Sequence, residues 1–184
     1  ASKLLSLTSV KGSAPLIRSQ IMATFDNRNT GLEVFGISYE NLLRLDRIAK
    51  PEEFEGDMND FKNGIAIGSG VARELGVKVG DSIKLISPNG VRTAFGTSPR
   101  VKKFKIVYIF TAGRYDIDRT RSYLPFSVAQ EYFNREGLAD EIEILLNNPS
   151  NLTEATSQIE NVVAPDVQLW TWRDASSSFL RALE

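Results

Sequence analysis

Histidine and cysteine are both absent from this chain of 184 residues. Without them, neither a Ser-His-Asp triad nor a Cys-His pair can form within the chain, and the commonest general base is missing. Zinc sites built from His and Cys are excluded, and the fold needs no disulfide. Only carboxylates, serine, lysine and the backbone remain for chemistry. We expect no catalytic residues, no metal site and no cofactor, although chemistry carried by carboxylates alone stays open.

A long apolar run is also missing, the longest clean one being residues 106–110. A membrane helix needs about 18 such residues, so none is predicted. The net charge of -1 gives no global electrostatic case for binding nucleic acid or an anionic membrane surface. The chain begins at Ala1 without a visible signal peptide, which favours a soluble piece excised from a longer protein. Its last two residues, Leu183-Glu184, are either native or a cloning remnant.

One glycine pair has the position of a phosphate loop. Gly68-Ser-Gly70 follows a predicted strand and opens a predicted helix, as a phosphate loop would. Arg73 replaces the third glycine, however, and no Gly-Lys-Ser/Thr sequence follows. A tight junction between strand and helix is the favoured interpretation.

Two pairs of carboxylates are candidates for chemistry. Asp116 and Asp118 would share a face of an extended segment and could serve acid–base work or hold a cation. The favoured interpretation is surface ion pairing with the neighbouring arginines, which are Arg114, Arg119 and Arg121. Asp57 and Asp60 could ligate Ca²⁺, but their loop lacks the full ligand spacing, so a solvated loop is favoured.

Apolar periodicity and turn residues predict a mixed chain of short strands and helices. The predicted strands are 14–24, 32–37, 64–67, 81–86, 101–110, 122–125, 141–146 and 167–172. The predicted helices are the end of one within 1–6, then 40–47, 69–75, 126–133, 151–163, and a last one capped by Asp174 with Phe179, Leu180 and Leu183 as its apolar stripe. Residues 26–31 are a predicted turn, and 50–63 and 114–121 are predicted surface loops. Trp170 and Trp172 share one face of the last strand, where we expect core or inter-subdomain packing.

The stretch 86–104 is predicted to be a long β-hairpin whose strands are joined by about a dozen residues. Hairpin loops usually have ~2–5 residues, so a longer one is either disordered or functional. Pro88 and Pro99 stiffen it, and Phe95 is the only aromatic residue between Pro88 and Arg100. We interpret the stretch as a docking finger with an aromatic apex and cations at its base. The alternative is an ordinary surface loop whose Phe95 folds back onto the core.

Basic residues are concentrated on the strand that follows this finger. Val101 and Phe104 are interleaved with them, which suits the outer face of a strand whose other face is buried. One interpretation is a solvated strand that resists aggregation, and the other is electrostatic steering of a partner to the base of the finger. The residues of this cluster are Arg100, Lys102, Lys103 and Lys105.

Three motifs carry a resemblance to a known family: SPNGVRTAFGTSPR (87–100), Tyr115-Asp116 and LPFSVAQEYF (124–133). They resemble the periplasmic domain of the lipoprotein-releasing permeases of the LolC/LolE family, a branch of the MacB/FtsX-like ABC transporter superfamily. GIAIGSGVARELGVKVGD (64–81) is similar to the family's segment before the hairpin, and SSSFLRALE (176–184) to its run into the next membrane helix. TAFGTSPR is similar in length, and in Gly96 and Pro99, to the LolC hairpin called the hook. The chain therefore resembles LolC, or a fused LolC/LolE-type permease, more than LolE.

The resemblance implies an α+β fold with two mixed subdomains and a protruding β-hairpin, as in the MacB-like periplasmic core. A porter-like subdomain would comprise 1–38 and 139–184, a sabre-like one 39–138, and the hook hairpin 87–102. Both ends of the domain flank membrane helices in the family. We therefore expect Ala1 and Glu184 to lie at the same end of the molecule.

The resemblance also implies a function. The family releases lipoproteins from the bacterial inner membrane, with this domain facing the periplasm, and ATP hydrolysis belongs to a separate subunit. The implied partners are a LolA-like periplasmic chaperone recruited by the hook, a LolD-like ATPase reached through the missing membrane part, a second permease subunit and the lipoprotein substrate, with no nucleic acid. The implied chaperone-binding residues are Pro88, Arg92, Thr93, Phe95, Gly96, Pro99, Arg100 and Lys102.

Two alternatives remain open from the sequence. The first, from the same superfamily, is a MacB-like efflux permease module that docks another periplasmic partner. The second, from a different class, is a carboxylate-dependent hydrolase centred on Asp116 and Asp118.

Overall fold

The computed structural model describes residues 2–93 and 96–175 and has the mixed α and β content that was predicted. The strands are β1 (Val10–Phe25), β2 (Arg28–Ile37), β3 (Glu53–Gly56), β4 (Ile65–Gly68), β5 (Ser82–Thr93), β6 (Gly96–Thr111), β7 (Arg121–Pro125) and β8 (Glu141–Leu146). The helices are α1 (Ser2–Leu5), α2 (Tyr39–Leu42), α3 (Asp46–Ala49), α4 (Ser69–Leu75), α5 (Tyr115–Thr120), α6 (Phe126–Phe133), α7 (Leu152–Glu160) and α8 (Trp172–Ala175), with a 3-10 helix at Met58–Asn63. None of the helices in the described ranges has the length and apolarity needed to cross a bilayer.

Contacts between Cα atoms divide the chain into two units, one of residues 14–143 and one of residues 1–13 with 144–184. The porter-like and sabre-like division predicted from the family has its boundaries near 38 and 138, and it stays a prediction. Ala1 and Glu184, whose common position was also predicted, lie outside the described residues.

Six strands of the larger unit close into a barrel. Around it, β1 pairs with β2, β2 with β7, β7 with β4, β4 with β6, β6 with β5, and β5 pairs back with β1. The β2–β7 and β4–β6 pairs are parallel, and the others are antiparallel. Closure pairs backbone groups that would otherwise lie at an open edge. Two further strands join this sheet, β3 beside β6 and β8 beside β1.

Alternation along the barrel strands builds two apolar clusters. One cluster draws residues from all six strands and from α4 and α6, and therefore fills the barrel. The other draws on β1, β2, β4, β6 and β7, and α2, α3 and the 3-10 helix cover it from outside. In β4, Ile65 and Ile67 belong to the inner cluster and Ala66 to the outer one. Each fully buried side chain of Ile size contributes about 1.5–3 kcal/mol to folding.

The smaller unit has a core of its own, built on Leu4, Val10 and Ile159. Ile159 lies on α7, which was predicted from its apolar stripe and has Asn151 at its N-cap position. Ser9 donates its hydroxyl to the side-chain oxygen of Gln158 over 2.7 Å, which joins the start of β1 to the same helix.

Several element predictions are confirmed and others are wrong. Helices 69–75 and 126–133 match α4 and α6 residue for residue. The single helix predicted at 40–47 is two short helices, α2 and α3, because Ser38 caps the first at Asn41 and the chain turns before Asp46. The predicted loop at 50–63 contains β3 and the 3-10 helix, and the charged loop at 114–121 contains α5. The turn predicted at 26–31 is shorter, since β2 begins at Arg28.

The strand predicted at 167–172 is also wrong. No strand occurs at these positions, and α8 begins at Trp172. Thr171 precedes the helix, accepts a hydrogen bond from the Asp174 amide over 3.4 Å, and donates its own amide to the Asp174 carboxylate over 2.8 Å. This capping box starts a helix where a strand was expected. Trp170 is 74% exposed, so the packing predicted for it is wrong; the apolar stripe predicted at Phe179, Leu180 and Leu183 lies outside the described residues.

Candidate hairpin docking site and the groove at its base

The candidate site is the hairpin of β5 and β6. These strands pair from Ser82–Lys105 at the base to Thr93–Gly96 beside the tip. The connection of about a dozen residues predicted between the strands is therefore wrong, because both strands continue through most of it. The predicted apex, Phe95, lies outside the described residues.

The hairpin has an irregularity above its base. The pairing of β5 with β6 shifts register across residues 88–90. Pro88 stands in this stretch and Pro99 stands opposite it. Because proline has no N–H to donate, such irregularities are where strands tolerate it. A Cβ on Gly90 would overlap the carbonyl oxygen of Ser98, so the close approach of the two strands requires glycine here.

The hairpin base is fastened to helix α6. Arg100 donates from its Nη1 atom to the carbonyl oxygens of Glu131 and Tyr132 over 3.1 and 3.0 Å. These carbonyls lie in the last turn of α6, where a cation is electrostatically favourable. Lys102 pairs with the Glu131 carboxylate over 3.0 Å and lies 5.7 Å from the centre of the Phe104 ring.

Tyr132 completes this fastening from the helix side. Its ring meets Phe104 edge to face, with 5.5 Å between the ring centres. Its hydroxyl donates to the Arg100 carbonyl oxygen over 3.2 Å. Burial raises the pKa of the Tyr132 phenol to about 12. The hydroxyl therefore stays protonated, and remains a donor, across the neutral range.

The predicted hook residues are distributed along this hairpin. Arg92 pairs with Thr97 and Thr93 with Gly96 in the backbone ladder beside the tip, while Pro88 and Pro99 flank the irregular stretch. Arg100 and Lys102 lie at the base, engaged with α6. The structure thus brings the described members of the predicted set onto one hairpin, and their binding role stays a prediction.

The predicted basic cluster divides between two faces of the hairpin. Whereas Arg100 and Lys102 engage α6, Lys103 and Lys105 lie on the opposite face of β6 and are exposed. Lys84 of β5 stands directly across from Lys103 in the ladder. We call the three exposed residues Lys84, Lys103 and Lys105 the lysine row.

An apolar row runs beside the lysine row on the same face. Met22 of β1 pairs with Ile86 of β5, and Ile86 pairs with Val101 of β6. Met22 is 49% exposed and Val101 55%. Ile86, between them, is partly buried, so the row is open to solvent at its two ends.

Met22 and Ile86 of this row form part of the wall of a groove of about 680 Å³. Apolar side chains dominate its lining, which includes Ile21, Met22, Leu32, Ile86, Pro88 and Pro99. Sequence reasoning identified the two prolines but missed the groove, Met22 and Lys84. The alternation of polar and apolar residues within 82–86 and 101–105 predicts one exposed face. The groove also needs β1 beside β5, and that pairing cannot be predicted from the alternation.

The candidate carboxylates have structural partners. Asp118 accepts the Ala112 amide over 2.7 Å, whereas Asp116 pairs with Arg114 over 3.1 Å. Because the segment is helical, residues two apart point in different directions, and the shared face predicted for an extended segment is wrong. Asp57 accepts the Asn59 amide at the start of the 3-10 helix. Among the described residues there is no group of three or more acidic side chains placed to hold a metal ion.

The glycine pair 68–70 serves close packing. A Cβ on Gly68 would overlap the carbonyl oxygen of Asp118, and one on Gly70 would come within 2.8 Å of the same atom. The backbone of α5 thus occupies the space in front of this junction. This agrees with the tight strand–helix junction favoured from the sequence.

Comparison with known proteins places the chain in a family. Residues 1–162 match the family described as the MacB-like periplasmic core domain. Among curated proteins, the chain is similar to the lipoprotein-releasing system transmembrane protein LolC of Neisseria meningitidis serogroup B, with 26% identity over 122 residues that cover 65% of this chain and 29% of that protein. It is also similar to LolC of Xylella fastidiosa (strain Temecula1), with 24% identity over 172 residues that cover 83% of this chain and 41% of the relative. The matched regions therefore span less than half of these relatives.

Solved structures share the fold. The extracellular domain of the noncanonic ABC-type transporter YknZ from Gram-positive bacteria superposes with a TM-score of 0.57 at 12% identity, covering 84% of this chain and 74% of that one. The periplasmic region of MacB from Actinobacillus actinomycetemcomitans gives a TM-score of 0.53 at 10% identity, covering 88% and 72%. With the family match over 162 of its 184 residues, the chain belongs to the MacB-like periplasmic core domain family, and it is a LolC-like member of it.

Proposed function

We propose that this chain is the periplasmic part of an inner-membrane ABC transporter permease that releases lipoproteins, and that its β5–β6 hairpin recruits a LolA-like chaperone. The similarity to LolC supports the permease assignment. The ATPase is a separate LolD-like subunit, reached through membrane segments beyond this chain, and a second permease subunit completes the complex. The chain itself supplies contacts and motion.

One observation carries the docking role. The pairing of β5 with the barrel strand β1 ends at Ile86, but the pairing of β5 with β6 continues to Thr93–Gly96. The outer hairpin is therefore held by its own ladder. A segment ordered before binding loses less conformational entropy on association.

The base gives the hairpin a fixed direction. The Arg100 guanidinium donates to two carbonyls at the end of α6, and the Tyr132 hydroxyl donates to the Arg100 carbonyl oxygen. Phe95 then serves as the apolar anchor at the tip, since buried aromatic residues commonly dominate the binding energy of an interface. Arg92, Arg100 and Lys102 add charge interactions that weaken with salt, because exposed pairs are screened over about 8 Å at physiological ionic strength.

The test is binding of the cognate LolA-like chaperone, measured by surface plasmon resonance. Replacing residues 91–98 with a Gly pair should abolish binding while the circular dichroism spectrum stays unchanged. Phe95→Ala should weaken binding by roughly 1–3 kcal/mol. Phe54→Ala is the matched control, because Phe54 is 58% exposed on β3, which pairs with the far end of β6.

The result that would overturn the proposal is a folded deletion variant that binds the chaperone as tightly as wild type. If the domain does not bind the chaperone but binds another periplasmic protein through the same hairpin, the result would instead support the MacB-like efflux alternative.

A further inference from the structure

The groove at the hairpin base exists because two strands part there. β1 pairs with β5 as far as Met22–Ile86, after which β5 continues into the hairpin with Pro88. Ile21 and Leu32, which are buried, and the two prolines line the gap that opens. Its volume of about 680 Å³ lies within the range of small-ligand pockets, roughly 300–1,000 Å³.

The lining is mostly apolar, and the charge of its acidic residue, Glu33, is balanced by two arginines. Glu33 accepts two hydrogen bonds from the Arg18 guanidinium, at 2.8 and 2.6 Å, and lies 3.8 Å from Arg121. Gly31 also lines the groove, and a Cβ added there would meet no atom within 4 Å. The groove therefore offers apolar surface and open space for an apolar chain.

Beside this groove stands the unpaired positive charge of the lysine row. Lys84 and Lys103 face each other directly across the ladder, an arrangement that is destabilising for like charges. No ion pair joins Lys84, Lys103 or Lys105 to a carboxylate in the part of the chain that the structure describes. Ile86, in the groove wall, is two residues from Lys84 on the same face, a separation of about 6–7 Å along a strand.

We propose that this groove binds the acyl chain of an anionic glycerophospholipid, whose phosphate group lies against the lysine row. The apolar lining accepts the chain, and the phosphate relieves the repulsion between the facing lysines. The concave shape favours a chain-like ligand over a flat protein surface. Pro88 and Pro99, which line this site, are also among the predicted chaperone-binding residues, so lipid binding and chaperone binding are measured separately.

Titration of the 184-residue chain with 1-palmitoyl lysophosphatidylglycerol below its micellar concentration tests the site. Isothermal titration calorimetry should detect saturable binding of one molecule. Lysophosphatidylcholine has the same acyl chain but no net charge, and it should bind at least about ten-fold more weakly. This difference in affinity should shrink at high salt. Palmitate distinguishes a phosphate requirement from a general preference for anions.

Two pairs of variants separate the groove from the lysine row. Gly31→Leu should fill the groove and abolish binding of both lysolipids, whereas Asn29→Leu adds the same side chain to the same strand outside the lining. The double variant Lys84→Glu/Lys103→Glu should remove the preference for the anionic lipid, whereas Lys62→Glu is an exposed control on the 3-10 helix. Circular dichroism checks the fold of each.

Several outcomes would overturn the proposal. One is the absence of saturable lysolipid binding by the wild-type chain, and another is equal binding by folded Gly31→Leu. If lipid does not bind but Gly31→Leu weakens chaperone binding, the groove is a protein-docking surface. If Gly31→Leu instead abolishes a dimer seen by sedimentation, a second copy of the chain occupies it.

Discussion

At the scale of single residues, Arg100 has two roles: it attaches the hairpin base to α6, and it is one of the predicted chaperone-binding residues. Its guanidinium donates to two carbonyls at the end of α6, and the Glu131 carbonyl also accepts the Asn134 amide over 3.3 Å. Arg100→Ala should lower the free energy of unfolding by about 1.5–3 kcal/mol, the range for a hydrogen bond to a charged group. Urea denaturation measures this.

Lys103→Ala is the control for that experiment, because Lys103 lies on the exposed face of the same strand. It should change stability by less than about 0.5 kcal/mol. If both variants unfold at the wild-type urea concentration, the fastening of the hairpin base to α6 is wrong. If Arg100→Ala alone is destabilised, any loss of chaperone binding by Arg100→Ala must be separated from loss of the hairpin's position.

The buried phenol of Tyr132 predicts a pH dependence of stability. Burial raises its pKa from 10.0 to about 12 in the folded state, and the unfolded chain keeps the ordinary value. The folded state thus binds the proton more tightly, so its contribution is fully present below pH 10 and is lost as the pH rises towards 12. In Tyr132→Phe, the free energy of unfolding should fall less steeply over this window than in wild type.

Thermal denaturation from pH 9 to 12 would measure that slope. Burial also raises the pKa values of Tyr108 and Tyr123, so part of the decline should persist in the variant. Tyr115→Phe serves as the control, since Tyr115 is 75% exposed. Equal slopes for wild type and Tyr132→Phe would contradict the assignment.

At the scale of elements, local signals predicted local structure well. Helix α4 ends at Gly76 and α6 at Asn134, both of which adopt the left-handed conformation with φ of 69° and 57°. Such residues end a helix by themselves, so the sequence marks these boundaries. The prediction of a strand at 167–172 was wrong because alternation indicates a buried face only where a neighbouring strand exists. The capping box at Thr171 starts a helix there instead.

The hairpin shows the opposite failure. Prolines and glycines within 87–100 are typical of a loop, yet the ladder continues past them. The register shift takes up residues 88–90, so neither proline has to donate within a regular ladder. Composition identified the special stretch correctly, but the pairing that extends it depends on the opposite strand.

A substitution at Gly90 tests the close approach of β5 and β6 at the register shift. A Cβ there would overlap the Ser98 carbonyl oxygen, which is backbone and cannot rotate away. Gly90→Ala should therefore destabilise the hairpin by about 1–3 kcal/mol and weaken chaperone binding. Thermal melting and surface plasmon resonance measure the two effects.

Gly31→Ala is the matched control, because the added Cβ meets nothing within 4 Å. It should leave both measurements unchanged or slightly increase stability. A Gly90→Ala variant that melts and binds like wild type would show that the strands do not approach closely at this point.

At the scale of the whole molecule, the barrel explains why the groove escaped sequence reasoning. β2 pairs in parallel with β7, and Glu33 stands beside Arg121 through this pairing. β1 pairs with β2 on one side and with β5 on the other, which places Gly31, Met22 and Ile86 in one row. These contacts join residues that are far apart in the chain, and nothing local in the sequence specifies them.

The whole chain is expected neither to bind nor to hydrolyse ATP. The strand–helix junction at Gly68-Ser-Gly70 is packed against the Asp118 carbonyl, and α4 has 7 residues, too few for a strong dipole at a phosphate site. The sequence has no histidine to act as base, and Asp118 is engaged by the Ala112 amide. Calorimetry with Mg-ATP and a phosphate-release assay should both give blank signals. Saturable binding at micromolar ATP would contradict this and would point back to the junction, where Gly70→Ala should then weaken it.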